Sequence, residues 1–393
     1  MAGMRFSHAD GSTVHLSYCT NVHPAESLDG IVAQLDRWAV PVRERLSADP
    51  LGVGLWLPRR AASELSADPA ATGRLRRALV TRGLEVVSLN AFPYEAFHAP
   101  RVKRDVYLPD WADPERLRYT LDLARILARL LPDDAARGSI STLPLGWHPW
   151  WSPRKQSAAD AALDELAEGL ETLAAEEGRP VRVGFEPEPG CVVERTEHAV
   201  ELLKDRSPGL LGVCLDTCHL AVAFEDPAAA LKALAEARVP VVKLQASCAL
   251  HVPSPRDPGT AAVLAAFDEP RFLHQTREAA AGLPLTRDDL DEALGPDGLP
   301  GTAPWRVHFH VPLHAGPPSP LGSTRQVLRD TLAGLFGAAV AGTDHVEVET
   351  YTWNVLPPGQ RPSGPSPLAA GIAAELAWMR AEFLGLGLKE AGQ

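Results

Sequence analysis

A (β/α)8 barrel, an α/β fold, is the architecture this chain predicts, and three observations predict it. Eight short runs rich in β-branched and aromatic residues recur along the chain, longer Ala/Leu/Arg/Glu segments separate them, and the fingerprints of the rival doubly wound sheet are missing. The strand-like runs are 14–18, 53–57, 84–89, 139–143, 181–186, 211–216, 241–245 and 346–350. Helical periodicity covers 28–46, 113–131, 160–177, 194–204, 226–237, 323–336 and 366–383. Asp113-Pro114 and Asp226-Pro227 each offer a capping side chain followed by proline in the first turn, and Ser366-Pro367 reads the same way. No GxGxxG, Walker A or GxSxG string occurs; Gly52-Val53-Gly54 opens a strand and reads as packing.

Composition narrows the class. Of 393 residues, 45% are hydrophobic and 22% charged, which excludes a mainly disordered chain. No apolar run approaches the ~20 residues of a membrane span. The opening residues Met1 to His8 lack a long apolar stretch, so no signal peptide is expected and the expected location is the cytoplasm. Fifty acidic against 38 basic residues give a net charge of −12 with no Lys/Arg run, so nucleic acid is not an expected partner. The five cysteines, Cys19, Cys191, Cys214, Cys218 and Cys248, are sparse and odd in number, as in a reduced protein. Cys214 and Cys218 read as small buried residues.

One region breaks the rhythm. Strands seven and eight begin at 241 and 346, and the material at 248–322 is rich in Pro and Gly. It holds two strand-like pieces, 271–276 and 305–313. Such insertions sit on the catalytic face of a barrel, so a β-hairpin lid between strand seven and strand eight is expected, within one domain spanning 1–393.

Catalytic groups of these barrels lie at the C-terminal ends of strands. Four successive strands end in Glu186, Asp216, Gln245 and Glu349. Three converging carboxylates repel one another unless a cation lies between them. Oxygen donors with a Gln carbonyl as fourth favour one hard divalent ion, Mn²⁺ or Mg²⁺, with Co²⁺ admissible and Zn²⁺ less favoured.

These four residues, with the Asp216-x-x-His219 spacing, resemble the xylose-isomerase-like TIM-barrel superfamily of sugar phosphate isomerases and epimerases, in its hydroxypyruvate-isomerase variant. The strings GFEPEPG, LGVCLDTCHLAVAFEDP, VVKLQAS, HFHVPLH, VEVETYTWNVLP and LSYCTNVHPAESL are closer still to the metabolite-traffic proteins of the ebo gene cluster. The resemblance implies that Glu186, Asp216, Gln245 and Glu349 are metal ligands. It implies that Glu186 and Glu349 exchange a substrate proton on opposite faces of an enediol, and that His219 contacts substrate or orients the ligands. The insertion departs from the superfamily's pattern and leaves the substrate class open.

Further candidates surround this set. His308 and His310 share a face by alternation; either His310 or His314 is expected to reach the barrel mouth from the insertion. Lys243 and Glu347, two residues before Gln245 and Glu349, are expected to pair one layer deeper, with a substrate-binding lysine as the alternative. Tyr18, Asn21, His23, Asn90 and Tyr94 follow strands one and three, and Trp147, His148, Trp150 and Trp151 follow strand four; rings in such loops can stack on a metabolite. Glu188 reads as a loop residue held by Pro187 and Pro189. A metal-dependent isomerase or epimerase of a polyhydroxy carbonyl compound heads the functional readings. A non-catalytic metabolite carrier and a metal-dependent hydrolase are the alternatives. A small-molecule metabolite is the expected partner, with a homodimer left open.

Overall fold

The computed structural model describes residues 3–207 and 209–391. Eight parallel strands close on themselves: β1 (Thr13–Cys19), β2 (Leu51–Trp56), β3 (Leu84–Glu85 and Ser88–Asn90), β4 (Gly138–Thr142), β5 (Val181–Phe185), β6 (Leu211–Asp216), β7 (Val241–Ala246) and β8 (His345–Val348). Closure runs through Val346↔Leu16 between β8 and β1, and Tyr18↔Val53 between β1 and β2. Apart from Thr13, every residue of these strands is buried, as expected where helices cover the outside and side chains fill the inside.

Alternation along the strands separates the two faces. Leu16, Val53, Leu89, Ile140, Val183 and Leu244 belong to the apolar core. The opposite parity carries small or polar residues that meet across the barrel. Ser17 reaches Glu347 at 3.4 Å, and His345 meets Ser139 at 2.6 Å. Asn90 donates to Glu349 at 3.0 Å. The barrel interior is therefore polar, in place of the branched apolar layers usual in this architecture.

Helices cap as the sequence indicates. Asp113 accepts from the Glu115 N–H and Asp226 from the Ala229 N–H. The helix Pro153–Glu177 starts earlier than expected because Ser152 caps it. Two helices that the sequence periodicity does not indicate, Arg59–Ala67 and Pro69–Val80, lie between β2 and β3, and Asp68 divides them by capping the second. The last helix, Pro365–Gly385, begins at Pro365, so Ser366 is not its cap. Among the described residues no helix is long and apolar enough to cross a membrane.

The insertion corrects the expected hairpin. It folds as a five-stranded antiparallel sheet in the order Leu285–Arg287, Thr276–Glu278, Trp305–Val307, Leu250–Val252, Gly322–Ser323. Pairing falls at Thr276↔Val307 and Glu278↔Trp305, so strand structure begins where the 271–276 run ends, and 308–313 lies outside the strand. Glu278 fixes the return loop by accepting from the Gly301, Thr302 and Ala303 N–H groups and from the Trp305 indole.

Inside the barrel Lys243 and Glu347 form a 3.0 Å ion pair with 0% and 1% of their side chains exposed. Room for it comes from Gly54: a Cβ there would lie 1.6 Å from Glu347 Oε2. Gly54→Ala is therefore expected to displace Glu347 from Lys243 and destabilise the fold by about 1–3 kcal/mol. Urea unfolding measures this; an unchanged midpoint would show that Glu347 shifts freely.

Candidate metal centre and pocket

Glu186 follows β5, Asp216 ends β6 and Glu349 follows β8. Backbone bonds hold the first and last at the barrel rim: Glu186 N–H donates to Thr142 O at 3.0 Å and Glu349 N–H to Ala246 O at 3.1 Å. One carboxylate oxygen from each of the three lies within 4.8 Å of the others. All three residues are nearly fully buried.

Each ligand candidate is oriented by its neighbours. Asp216 Oδ1 accepts from the His219 N–H at 2.9 Å and the Ser247 hydroxyl at 2.8 Å, which leaves Oδ2 without a partner among the described residues. Glu349 Oε1 accepts from Asn21 Nδ2 at 2.7 Å and Asn90 Nδ2 at 3.0 Å. Among the described residues Glu186 Oε2 has no hydrogen-bond partner, nor has either polar atom of the Gln245 amide, which is fully buried beside Asp216 in register. Buried carboxylate and amide oxygens left unpaired around one point are costly in a dry protein and suit a hard cation. Held by hydrogen bonds at one oxygen and free at the other, Asp216 shows the arrangement in which surrounding donors orient metal ligands.

Electrostatics agrees with the geometry. Burial, and then the neighbouring Glu349, Asp216 and Glu188 charges, push the Glu186 carboxyl well above its ordinary range. Burial and then Asp216 and Glu347 raise Glu349. Burial would lower the Lys243 ammonium, but Glu347 reverses this and leaves its pKa raised.

A pocket opens onto these carboxylates. Asn21, Asn90, Glu188, His219 and His308 give it polar groups, and Phe97, Phe272, Tyr107 and Tyr351 give it an aromatic wall. Glu188 is no solvated loop residue. It is 5% exposed, accepts from the Tyr107 hydroxyl at 2.8 Å and lies 3.1 Å from His219 Nε2. Gln275 joins it, donating to Pro189 O at 2.9 Å. Period two already paired Glu188 with Glu186; nothing in the sequence pointed to Gln275 or Tyr107.

The structure brings His310 close to Asp216 and His219. Several other candidates lie elsewhere. Tyr18 has the parity opposite to Ser17 and faces the helical layer, where its hydroxyl meets His23 Nε2 at 3.2 Å. His23 stacks on Trp38 at 4.4 Å. Lys243 is committed to Glu347 beneath the pocket. His314 follows Leu313, whose N–H is held by Glu375, and stacks toward Trp353, away from the carboxylates. Tyr94 bonds Glu115, Trp147 stacks on Tyr107 behind the pocket wall, and Trp150 is exposed. All five cysteines are free and buried.

Comparison with known proteins gives the chain's relatives. The family described as xylose isomerase-like TIM barrel matches residues 52–257. No curated protein sequence matches. Solved structures that match include a xylose isomerase-like TIM barrel protein from Mycobacterium smegmatis in complex with magnesium, 14% identical over 95% of this chain and 99% of that one, TM-score 0.48. A D-allulose 3-epimerase from Methylomonas sp. is 13% identical over 97% of this chain and 100% of that one, TM-score 0.49. A D-tagatose 3-epimerase-like protein is 13% identical over 94% and 99%, TM-score 0.49.

The raised carboxyls set a pH dependence for chelator-treated protein. Folded Glu186 and Glu349 hold protons that the unfolded chain releases near the ordinary value of 4.5. Stability they contribute is complete below that value and is lost as pH rises toward their folded pKa values. Thermal unfolding at pH 5 and pH 8 should show the metal-free protein less stable at pH 8. Added Mn²⁺ should restore stability more at pH 8, because binding displaces those protons. Equal metal-free stability at both pH values would contradict the assignment.

Proposed function

The chain belongs to the xylose isomerase-like TIM-barrel family, and on that footing we propose that it is a divalent-metal-dependent isomerase or epimerase of a polyhydroxy carbonyl compound. The carrying observation is the meeting of Glu186, Asp216 and Glu349 carboxylate oxygens within 4.8 Å, in a buried set where Glu186 Oε2, Asp216 Oδ2 and the Gln245 amide have no hydrogen-bond partner among the described residues. Glu186, Asp216, Glu349 and the Gln245 carbonyl would hold the ion, with Mn²⁺, Mg²⁺ or Co²⁺ suited to oxygen donors. When bound, the ion polarises the substrate's carbonyl and hydroxyl oxygens and offsets charge that develops on them.

The chain's own groups supply the rest. Glu186 lines the pocket, its Oε2 without a hydrogen-bond partner among the described residues, and is the base that takes a proton from the carbon beside the carbonyl. Glu349, on the far side of the centre, returns it. Its Oε1 is held by Asn21 and Asn90, so this carboxylate is rigid. His219 and Glu188 bind hydroxyls, and the aromatic wall packs on the apolar face of the substrate. The inserted sheet acts as the lid that keeps water out. The longer strings that resemble those of the ebo-cluster metabolite-traffic proteins support a secondary metabolite as substrate.

Two substitutions separate the roles. Glu186→Gln keeps an oxygen for the cation but cannot take a proton. It should cut solvent deuterium exchange into a ketose or hydroxy-carbonyl substrate by about 10²–10⁴-fold while metal content stays near wild type. In Glu349→Gln the two asparagine donors claim the amide oxygen and turn its NH2 toward the cation, so metal and exchange should fall together. Mass spectrometry of substrates and metal analysis measure both. Wild-type protein loaded with metal that binds a metabolite yet exchanges no proton across a broad panel would replace this reading by that of a carrier.

A further inference from the structure

A second cavity, of about 320 Å³, adjoins the aromatic wall of the pocket. Arg37, Trp38, His98, Arg271 and Asn354 line it, with Gly364 and Pro365 at the start of the last helix. Phe97, Phe272 and Tyr351 make the wall, their ring centroids 5.0–5.4 Å apart. His98 and Arg271 are the chain neighbours of two of these rings, yet no residue lines both spaces. The cavity is therefore separate from the carboxylate centre.

Its charge is opposite to that of the chain. The protein carries a net −12, and four other pockets are each lined by two or more carboxylates. This one has two guanidinium groups and no Asp or Glu in its wall. Arg37 lies over the Trp38 ring at 4.6 Å and Arg271 over the Phe272 ring at 5.9 Å. Aromatic faces thus hold the two cations, and among the described residues no carboxylate does. Arg271 Nε is buried without an acceptor, and so is the indole N–H of Trp38, a residue only 8% exposed. Buried donors without acceptors are uncommon and call for one. The Pro365–Gly385 helix has no capping side chain and no acidic residue in its first turn, so its positive end is uncompensated. Arg45 Nη2 reaches the same turn, donating to the Ser366 hydroxyl at 2.8 Å. Arg37 and Trp38 are presented by a π-helical turn, Leu35–Ala39, a distortion that recurs at functional sites.

We propose that this cavity binds a small organic oxyanion, a carboxylate or a phosphate ester, apart from the substrate. The planar fork of a guanidinium matches either group bidentately. The volume is that of a small-molecule pocket, larger than a bare anion needs, and Trp38 offers a face to the rest of the ligand. Arg37 comes from the helix after β1 and Arg271 from the insertion, where the Val102 and Lys103 N–H groups both hold its carbonyl at 2.8 Å. An occupant shared by the two arginines would clip the insertion to the barrel. It would also bear on the catalytic side, because His98 Nε2 donates to Asn21 O at 2.8 Å and Asn21 holds Glu349.

The test uses chelator-treated full-length protein, so that no metal can hold the anion. Calorimetry with phenyl phosphate and benzoate should give one saturable site per chain for at least one of them, and weaker binding of inorganic phosphate. Arg37→Gln and Arg271→Gln should each weaken that site by about 10–100-fold, and Arg271→Lys should recover part of the loss. Melting temperatures of the ligand-free variants that match wild type exclude misfolding. Glu186→Gln should bind the anion as wild type does. No saturable binding up to about 10 mM, or binding that both glutamine variants at the arginines leave intact, would overturn the proposal. Binding lost in Glu186→Gln would place the anion in the catalytic pocket and overturn it as well. Inorganic phosphate bound as tightly as the organic anions would keep the oxyanion site and overturn an organic occupant.

Discussion

The buried Lys243–Glu347 pair is the constraint on which the rest of the barrel depends. Both side chains are essentially inaccessible, so neither charge can be left alone without a cost of about 3–5 kcal/mol. The pair adds little net stability, because its attraction is largely spent on desolvation. What it sets is the interior. Gly54 must lack a side chain, Ser17 must be small and polar, and β7 and β8 must keep the register that places Lys243 against Glu347. That same register pairs Gln245 with Glu347 and carries Glu349 one step further, onto the rim above it. A polar floor thus fixes a polar mouth, and the barrel forgoes the branched apolar filling that would otherwise stabilise it.

Much of this was legible in the chain because it depends on period two and on burial. Strands covered on both faces read as continuous apolar runs, and all eight appear close to where the sequence puts them. The rim residues were legible for the same reason: a carboxylate or amide at the end of each of four such runs is an unusual coincidence. Tyr18 shows the limit. It lies near the end of a strand like the ligands, but its parity turns it to the helices, where His23, itself stacked on Trp38, takes it up. Proximity to the rim was read there, and parity was not.

The insertion was least legible, for physical reasons. Its strands are three residues or fewer, too short for alternation to register. Its order depends on single anchors such as Glu278, which gathers three backbone N–H groups. Glu188 was hidden by its prolines, which suggest an exposed turn, whereas Tyr107 and Gln275 from distant segments bury it. His314 lies past Pro312, where the chain leaves the alternation of 308 and 310, and the Glu375 bond to Leu313 turns it away.

Charge balance links the barrel to the insertion. Lys243 is cancelled by Glu347, so it cannot neutralise the groups above it. Glu186, Glu188, Asp216 and Glu349 are each 5% exposed or less. Fully ionised, they would place four negative charges in one nearly dry volume, an arrangement that protons or cations must relieve. Protons relieve it in the metal-free protein, which is why burial and mutual repulsion raise Glu186 and Glu349 together. One divalent ion among the three rim carboxylates leaves Glu188 and part of the charge uncompensated. His219 Nε2 lies 3.1 Å from Glu188 Oε2, and although burial alone would lower its pKa, Asp216, Glu188 and Glu349 raise it. The insertion takes part in that balance: Gln275 donates to Glu188 Oε1 and Pro189 O, and its own Oε1 holds the His308 ring beside His219.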